Sequence, residues 1–190
     1  LNALCEAPRA PGYRLVIREG ATLWQIEAEL VKAGLAKRGE LLGYAGKEVD
    51  SLPSAAFLSE GVYPNRLEGY LYPDTYELPL DDTVEALVAR ASKRMYDVLG
   101  VLPEAGRDIP GMANTHELMT LASIVEREAV LLREMPLIAS AYLNRLRQDM
   151  KLQADPTLTY TPDTWGDSAT PTHRKNAKNP YNTYAHKGLP

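Results

Sequence analysis

The sequence predicts an α+β fold: a small strand-and-helix unit within residues 1–79, then a mostly helical domain over residues 80–190 whose C-terminal part is rich in loops. Three observations predict it. Residues 13–18 alternate apolar and polar side chains, the two-residue period of a strand. Residues 82–100, 114–129 and 136–148 repeat their apolar positions every three or four residues, the period of a helix. Beyond Met150 neither period persists, and residues 151–190 carry five prolines, Pro156, Pro162, Pro171, Pro180 and Pro190, among many Asp, Asn, Thr and Tyr.

The strand over residues 13–18 sets Leu15 and Ile17 against Arg14, Val16 and Arg18 and stops at Glu19-Gly20. A helix follows, capped by Thr22, apolar at Leu23, Ile26, Leu30 and Val31, and closed by Gly34. Weaker helical stretches cover residues 38–44 and, after Pro53, residues 54–59. Residues 70–78 are rich in aromatics and read as extended. Pro73 cannot donate to a ladder, so this stretch fits an edge strand returning to pair with the first. Asp82 and Glu85 start a helix whose face, Val84, Leu87, Val88, Ala91, Met95 and Val98, runs to Gly100 and is expected to open the larger domain. Residues 102–114, with Pro103, Gly106, Pro110 and Gly111, read as a loop. Asn114 and Glu117 form a capping box for the next helix, and Pro136 suits the first turn of the one after, which carries Leu137, Ile138, Ala141, Tyr142, Arg145 and Leu146.

Composition narrows the function classes. With 45% hydrophobic and 24% charged residues the chain has the balance of a folded globular protein. A net charge of −4 and a pI near 5.5 give no global reason to bind nucleic acid, and no nucleic-acid partner is expected. No apolar run reaches the roughly 18 residues of a membrane span, and Cys5 alone can form neither an internal disulfide nor a multi-cysteine zinc site.

The helix from Leu118 to Ala129 places two carboxylates on a strongly apolar segment. Leu118, Leu121, Ala122, Val125 and Ala129 form its stripe. Stepping about 100° per residue puts Glu126 roughly 80° to one side of that stripe and Glu128 as far to the other, with Arg127 pointing away. The two acids therefore diverge and cannot by themselves form a glycosidase pair, which needs carboxylates roughly 5–9.5 Å apart facing one bond. Two readings of Glu126 stay open at this point. It is either a solvated border residue, or a general acid whose pKa is raised by partial desolvation beside the apolar surface.

Other motifs fail on inspection. His116-Glu117 lacks the second histidine of a zinc protease, since position 120 is Thr, and no metal is expected. Gly46-Lys47 lacks the first glycine and the terminal Ser/Thr of a phosphate-binding loop, positions 41 and 48 being Leu and Glu. His173 and His186 have no ligand-like spacing, and no dinucleotide loop appears, so no cofactor is expected. What survives is a carbohydrate-type site of one Glu, amides, hydroxyls and aromatics.

Five ordered blocks carry a resemblance. They are Leu67-Glu68-Gly69-Tyr70-Leu71-Tyr72-Pro73-Asp74-Thr75-Tyr76, Leu121-Ala122-Ser123-Ile124-Val125-Glu126-Arg127-Glu128, Asn144-Arg145-Leu146, Leu152-Gln153-Ala154-Asp155-Pro156-Thr157, and Tyr181-Asn182-Thr183-Tyr184 with Gly188-Leu189-Pro190. Over roughly residues 13–190 the chain resembles the YceG-like family of endolytic murein transglycosylases. The resemblance implies that the unit over residues 13–34 is LysM-like and that Glu126 is the catalytic acid and base. It implies cleavage of the β-1,4 bond between N-acetylmuramic acid and N-acetylglucosamine with a 1,6-anhydro end, peptidoglycan strands as substrate, and cell-wall synthases as candidate partners. It also implies a bitopic membrane protein with this part on the extracytoplasmic side. The anchor would lie in a segment absent from this chain, a soluble piece incomplete at its C-terminal end. Within the matched blocks Gln153, Asp155, Thr157, Tyr181, Asn182 and Thr183 are candidate substrate contacts, because amides and hydroxyls bond N-acetyl groups and aromatics cover sugar faces. Glu68 is a further candidate, either toward sugar or in orienting its loop. Turn-forming roles for Asp155-Pro156 and Asn182 remain an alternative for that segment. A non-catalytic peptidoglycan-binding or scaffold protein of the elongation machinery, and a muramidase that adds water, are the rival functions.

Overall fold

The computed structural model describes residues 12–45, 52, 67–100, 112 and 114–190; the helix read at residues 54–59 and nearly all of the loop read at residues 102–114 lie outside them. The architecture is α+β and divides into two compact units, residues 1–101 and 102–190.

In the first unit β1 (Gly12–Val16) pairs antiparallel with β2 (Thr75–Pro79), Gly12 opposite Pro79 and Val16 opposite Thr75. The return strand read from residues 70–78 is therefore present. Leu15, Ile17 and Leu78 are buried while Val16 is exposed, as the two-residue period requires. Helix α1 (Leu23–Lys32) begins at Thr22, whose backbone N–H and hydroxyl both donate to Gln25 Oε1. It buries Leu23, Ile26 and Leu30, and Val31, expected inside, is exposed. Helix α2 (Glu40–Ala45) starts on the carboxylate of Glu27, a residue of α1 only 6% exposed, which accepts the Gly39 and Leu42 N–H groups at 2.9 and 3.1 Å. A helix N-terminus leaves such donors unpaired and attracts negative charge, which is why a carboxylate is tolerated there.

Helix α3 (Val84–Gly100) is capped by the Thr83 hydroxyl, which accepts the Ala86 N–H, rather than by Asp82. Its face, including Val84, Leu87, Val88, Ala91 and Met95, is buried. Val84 and Leu87 meet Leu30, Leu35 and Leu78 around one small void, and the Ala91 carbonyl accepts the Tyr72 N–H at 3.2 Å. The sequence put this helix beyond a boundary at residue 79; its buried face instead completes the core of the first unit, and the division falls at 101/102.

The second unit holds α4 (Thr115–Glu128), a short 3-10 turn (Leu132–Glu134), α5 (Met135–Arg147), a 3-10 helix (Asp155–Thr159) and the five-residue α6 (Pro171–Lys175). Asn114 caps α4 by accepting the Glu117 N–H at 2.9 Å, and Pro136 occupies the first turn of α5. Ile124, Leu152 and Ala154 form the buried cluster, with Tyr142, Leu146 and Leu189 packed on it. Among the described residues no helix is long and apolar enough to cross a membrane.

Candidate active site

The buried side of α4 is Leu121, Ile124 and Val125, whereas Ala122, assigned to the stripe from sequence, is exposed. Ile124 in place of Ala122 turns the inward face around the helix axis. With about 100° per residue, Glu128 then falls almost on that face and Glu126 roughly 150° from it. The two acids still diverge, but they do not border the stripe symmetrically. Glu128 is drawn inward and Glu126 is exposed.

Glu128 Oε1 accepts the Tyr142 hydroxyl at 2.9 Å and the Asp155 N–H at 3.2 Å, joining α4 to α5 and to the 3-10 helix. Burial, and then the bond to Glu128, push the Tyr142 pKa upward, so the phenol stays protonated as the donor. Arg127 lies over the Trp165 ring, 4.6 Å from its centroid. Trp165 meets Tyr160 edge-on at 5.7 Å, and Tyr160 meets Tyr181 at 5.0 Å. The turn that follows Arg127 in space is thus an aromatic wall.

Asp155 sits where three chain segments converge. Arg174 Nη2 reaches both of its oxygens, at 3.2 and 3.0 Å, and the Tyr184 hydroxyl donates to Oδ1 at 2.7 Å. Partial burial works to raise the carboxyl pKa, but the hydrogen bonds from Arg174 and Tyr184 outweigh it and hold the group below its ordinary value. Gln153 is exposed and adopts φ +57, a left-handed conformation uncommon for a residue with a side chain. Arg145 Nη1, which donates to Lys151 O, Leu152 O and Gln153 Oε1, and the bond from Gln153 N to Thr183 O hold it there. Strained backbone of this kind persists where surrounding contacts over-determine it, often at a site of function.

Three candidates belong to the interior instead of a sugar-facing surface. Thr157 and Thr183 are buried, share a hydroxyl bond of 2.9 Å, and pin Ala154, whose N–H donates to Thr183 Oγ1 and whose carbonyl accepts from Thr157 Oγ1. Asn182 is fully buried; its Nδ2 faces the carbonyls of His173, Arg174 and Asn176, closing the end of α6, and its Oδ1 accepts the Tyr184 and Ala185 N–H groups. The Asx-type bond read as an alternative for Asn182 is the one present. Glu68 lies in the first unit, where Oε2 accepts the Leu23 N–H at 3.0 Å at the start of α1. Gln153, Asp155 and Tyr181 remain in the neighbourhood of α4, while Arg127, Glu128, Tyr142, Trp165, Arg174 and Tyr184 complete it.

The YceG-like family profile matches residues 1–190. The chain belongs to the YceG-like family. It is 27% identical over 197 aligned positions to an endolytic murein transglycosylase of Bacillus subtilis, covering 95% of this chain and 52% of that protein. It is 31% identical over 132 positions to an endolytic murein transglycosylase of Streptococcus pneumoniae, covering 65% of this chain and 23% of that protein. The chain thus spans about half the length of the first relative and about a quarter of the second. The crystal structure of a YceG-like protein from Listeria monocytogenes superposes with a TM-score of 0.78 at 30% identity, covering 94% of this chain and 61% of that one.

Proposed function

We propose that this YceG-like chain is the catalytic part of an endolytic peptidoglycan lytic transglycosylase in which Glu126 is both acid and base. The observation that carries the reading is the exposed position of Glu126 on the last turn of α4. Glu128 is occupied by Tyr142 and the Asp155 N–H, and Glu126 is the exposed carboxylate beside the Arg127–Trp165 contact. The relatives named endolytic murein transglycosylases supply the substrate class.

The chemistry needs one carboxyl group. Protonated Glu126 donates to the glycosidic oxygen between N-acetylmuramic acid and N-acetylglucosamine as positive charge develops at the anomeric carbon. The carboxylate so formed takes the proton of the muramyl C6 hydroxyl, whose oxygen closes on the anomeric carbon to give the 1,6-anhydro end. Because Glu126 is exposed in this chain, sugar rings laid over it meet the carboxyl directly and take water from around it. Gln153, Asp155 and Tyr181 are the substrate-side residues of this reading; Glu68, Thr157, Asn182 and Thr183 hold the frame. The LysM-like first unit gives the strand a second place to rest, and the chain works on the extracytoplasmic face of the membrane, beside cell-wall synthases.

Digestion of purified peptidoglycan with the wild type and Glu126→Gln, followed by mass spectrometry of the ends, tests this. Anhydro ends that disappear in Glu126→Gln are the expected result. Reducing ends would instead mark a muramidase, absence of cleavage a binding or scaffold protein, and equal activity of the two proteins would remove Glu126 from the mechanism.

A further inference from the structure

Within the second unit lies an open pocket of about 230 Å³ between the turn at residues 161–164 and the segment 173–180. Leu158 and Pro180 give it apolar surface, and Thr161, Thr164, His173, Asn176, Lys178 and Asn179 bring polar groups that include amide, hydroxyl and ammonium donors. Asn179 gives one Nδ2 hydrogen to Leu158 O and takes the Tyr181 N–H on Oδ1. Asn176 takes the Lys178 N–H on Oδ1, which leaves its Nδ2 to donate. The Thr161 and Thr164 hydroxyls share one bond of 2.6 Å, so one of their two protons is left over. His173 lines the wall with Nδ1 buried and without a hydrogen-bond partner among the described residues.

Charge points the same way. Residues 168–190 contain no Asp or Glu, and of their Arg and Lys residues Arg174 and Lys187 are held by Asp155 and Asp149. Lys178 lines the pocket and has no carboxylate partner among the described residues; Asp163 and Asp167 sit on the neighbouring turn but do not line it. Donors, a lysine and no lining carboxylate fit an anionic, acceptor-rich group.

We infer that this pocket receives a carboxylate of the peptide carried by the glycan strand, so that the chain reads peptide-bearing sugar in preference to bare sugar. The inference rests on the glycan-cleaving reading above, and a binding measurement separates the two. The whole chain carrying Glu126→Gln is titrated calorimetrically with a peptide-bearing tetrasaccharide of peptidoglycan and with the same tetrasaccharide stripped of its peptides. The peptide-bearing probe binds roughly tenfold tighter, the size expected of one charge-assisted contact. Lys178→Gln removes the difference and leaves the affinity for the stripped probe unchanged, while Lys178→Arg retains most of it. Equal affinities for the two probes, failure to bind either, or a preference untouched by Lys178→Gln would overturn the inference. If the preference stands and the wild type cleaves nothing, the transglycosylase reading falls and the pocket remains.

Discussion

The two units use carboxylates in opposite ways. In the first, Glu27 and Glu68 reach across the chain to unpaired N–H groups at the starts of α2 and α1, so their charge is absorbed by regular structure. In the second, Glu128 and Asp155 tie helices to irregular segments 27 and 19 residues away, and the acid next to them, Glu126, is exposed. In a unit with a sheet and periodic helices these two acids serve helix starts. A unit made largely of turns needs side-chain bonds in place of a ladder, and the exposed acid at the end of α4 is the one to test for chemistry.

The largest expected effect separates Glu126 from every other acid. Glu126→Gln should lower the rate of strand cleavage by about 10²-fold or more, the contribution typical of a positioned acid–base group. Its thermal unfolding midpoint should stay at the wild-type value; a large drop in that midpoint would assign Glu126 to the frame. Asn182→Ala comes next. It strips a buried amide from three carbonyls and two N–H groups, and should destabilise the second unit by about 3 kcal/mol. Glu27→Ala should cost the first unit about 2 kcal/mol by leaving the Gly39 and Leu42 N–H groups unpaired. The chain's two tryptophans, Trp24 and Trp165, fall one in each unit, so denaturant unfolding of Trp165→Phe and Trp24→Phe backgrounds reports which unit has lost stability. An Asn182→Ala effect seen by Trp24 alone would contradict the contrast.

The smallest effect is one of pH. Asp155 is held below its ordinary pKa, so the folded chain binds fewer protons there than the unfolded chain near pH 4. The stability it contributes is present above the unfolded carboxylate range of about 4 and is lost as the pH falls through the folded value. Its side chain is 42% exposed, and solvent screening keeps the contribution small. Arg174→Gln should flatten that acid limb as followed by Trp165 fluorescence and leave the Trp24 signal unaffected.

Periodicity made α1, α3, α4 and α5 legible in the sequence, and the alternation at residues 13–18 with the aromatic-rich stretch at 70–78 made the strand pair legible. The domain boundary was not, because an apolar helix face such as that of α3 reads the same whichever unit it completes. On α4 the exchange of Ala122 for Ile124 in the buried face separates two border acids from one inward and one exposed. Helical spacing alone cannot make that choice, since small and large apolar residues count alike. Among the site candidates, Thr157, Asn182 and Thr183 have the composition of sugar ligands, and only their burial reveals them as frame. The contacts of Asp155 with Arg174 and Tyr184 span 19 and 29 residues without a periodic signature, and the placement of Trp165 under Arg127 has none either.

The Asn182 amide has a consequence for how the protein ages. Hydrolysis of that side chain to a carboxylate would exchange the nitrogen facing three carbonyls for an oxygen, so that a change of almost no volume would set four acceptors against one another at the end of α6. Asn182→Asp should therefore unfold the second unit more readily than the larger excision in Asn182→Ala, because the residue is fully buried.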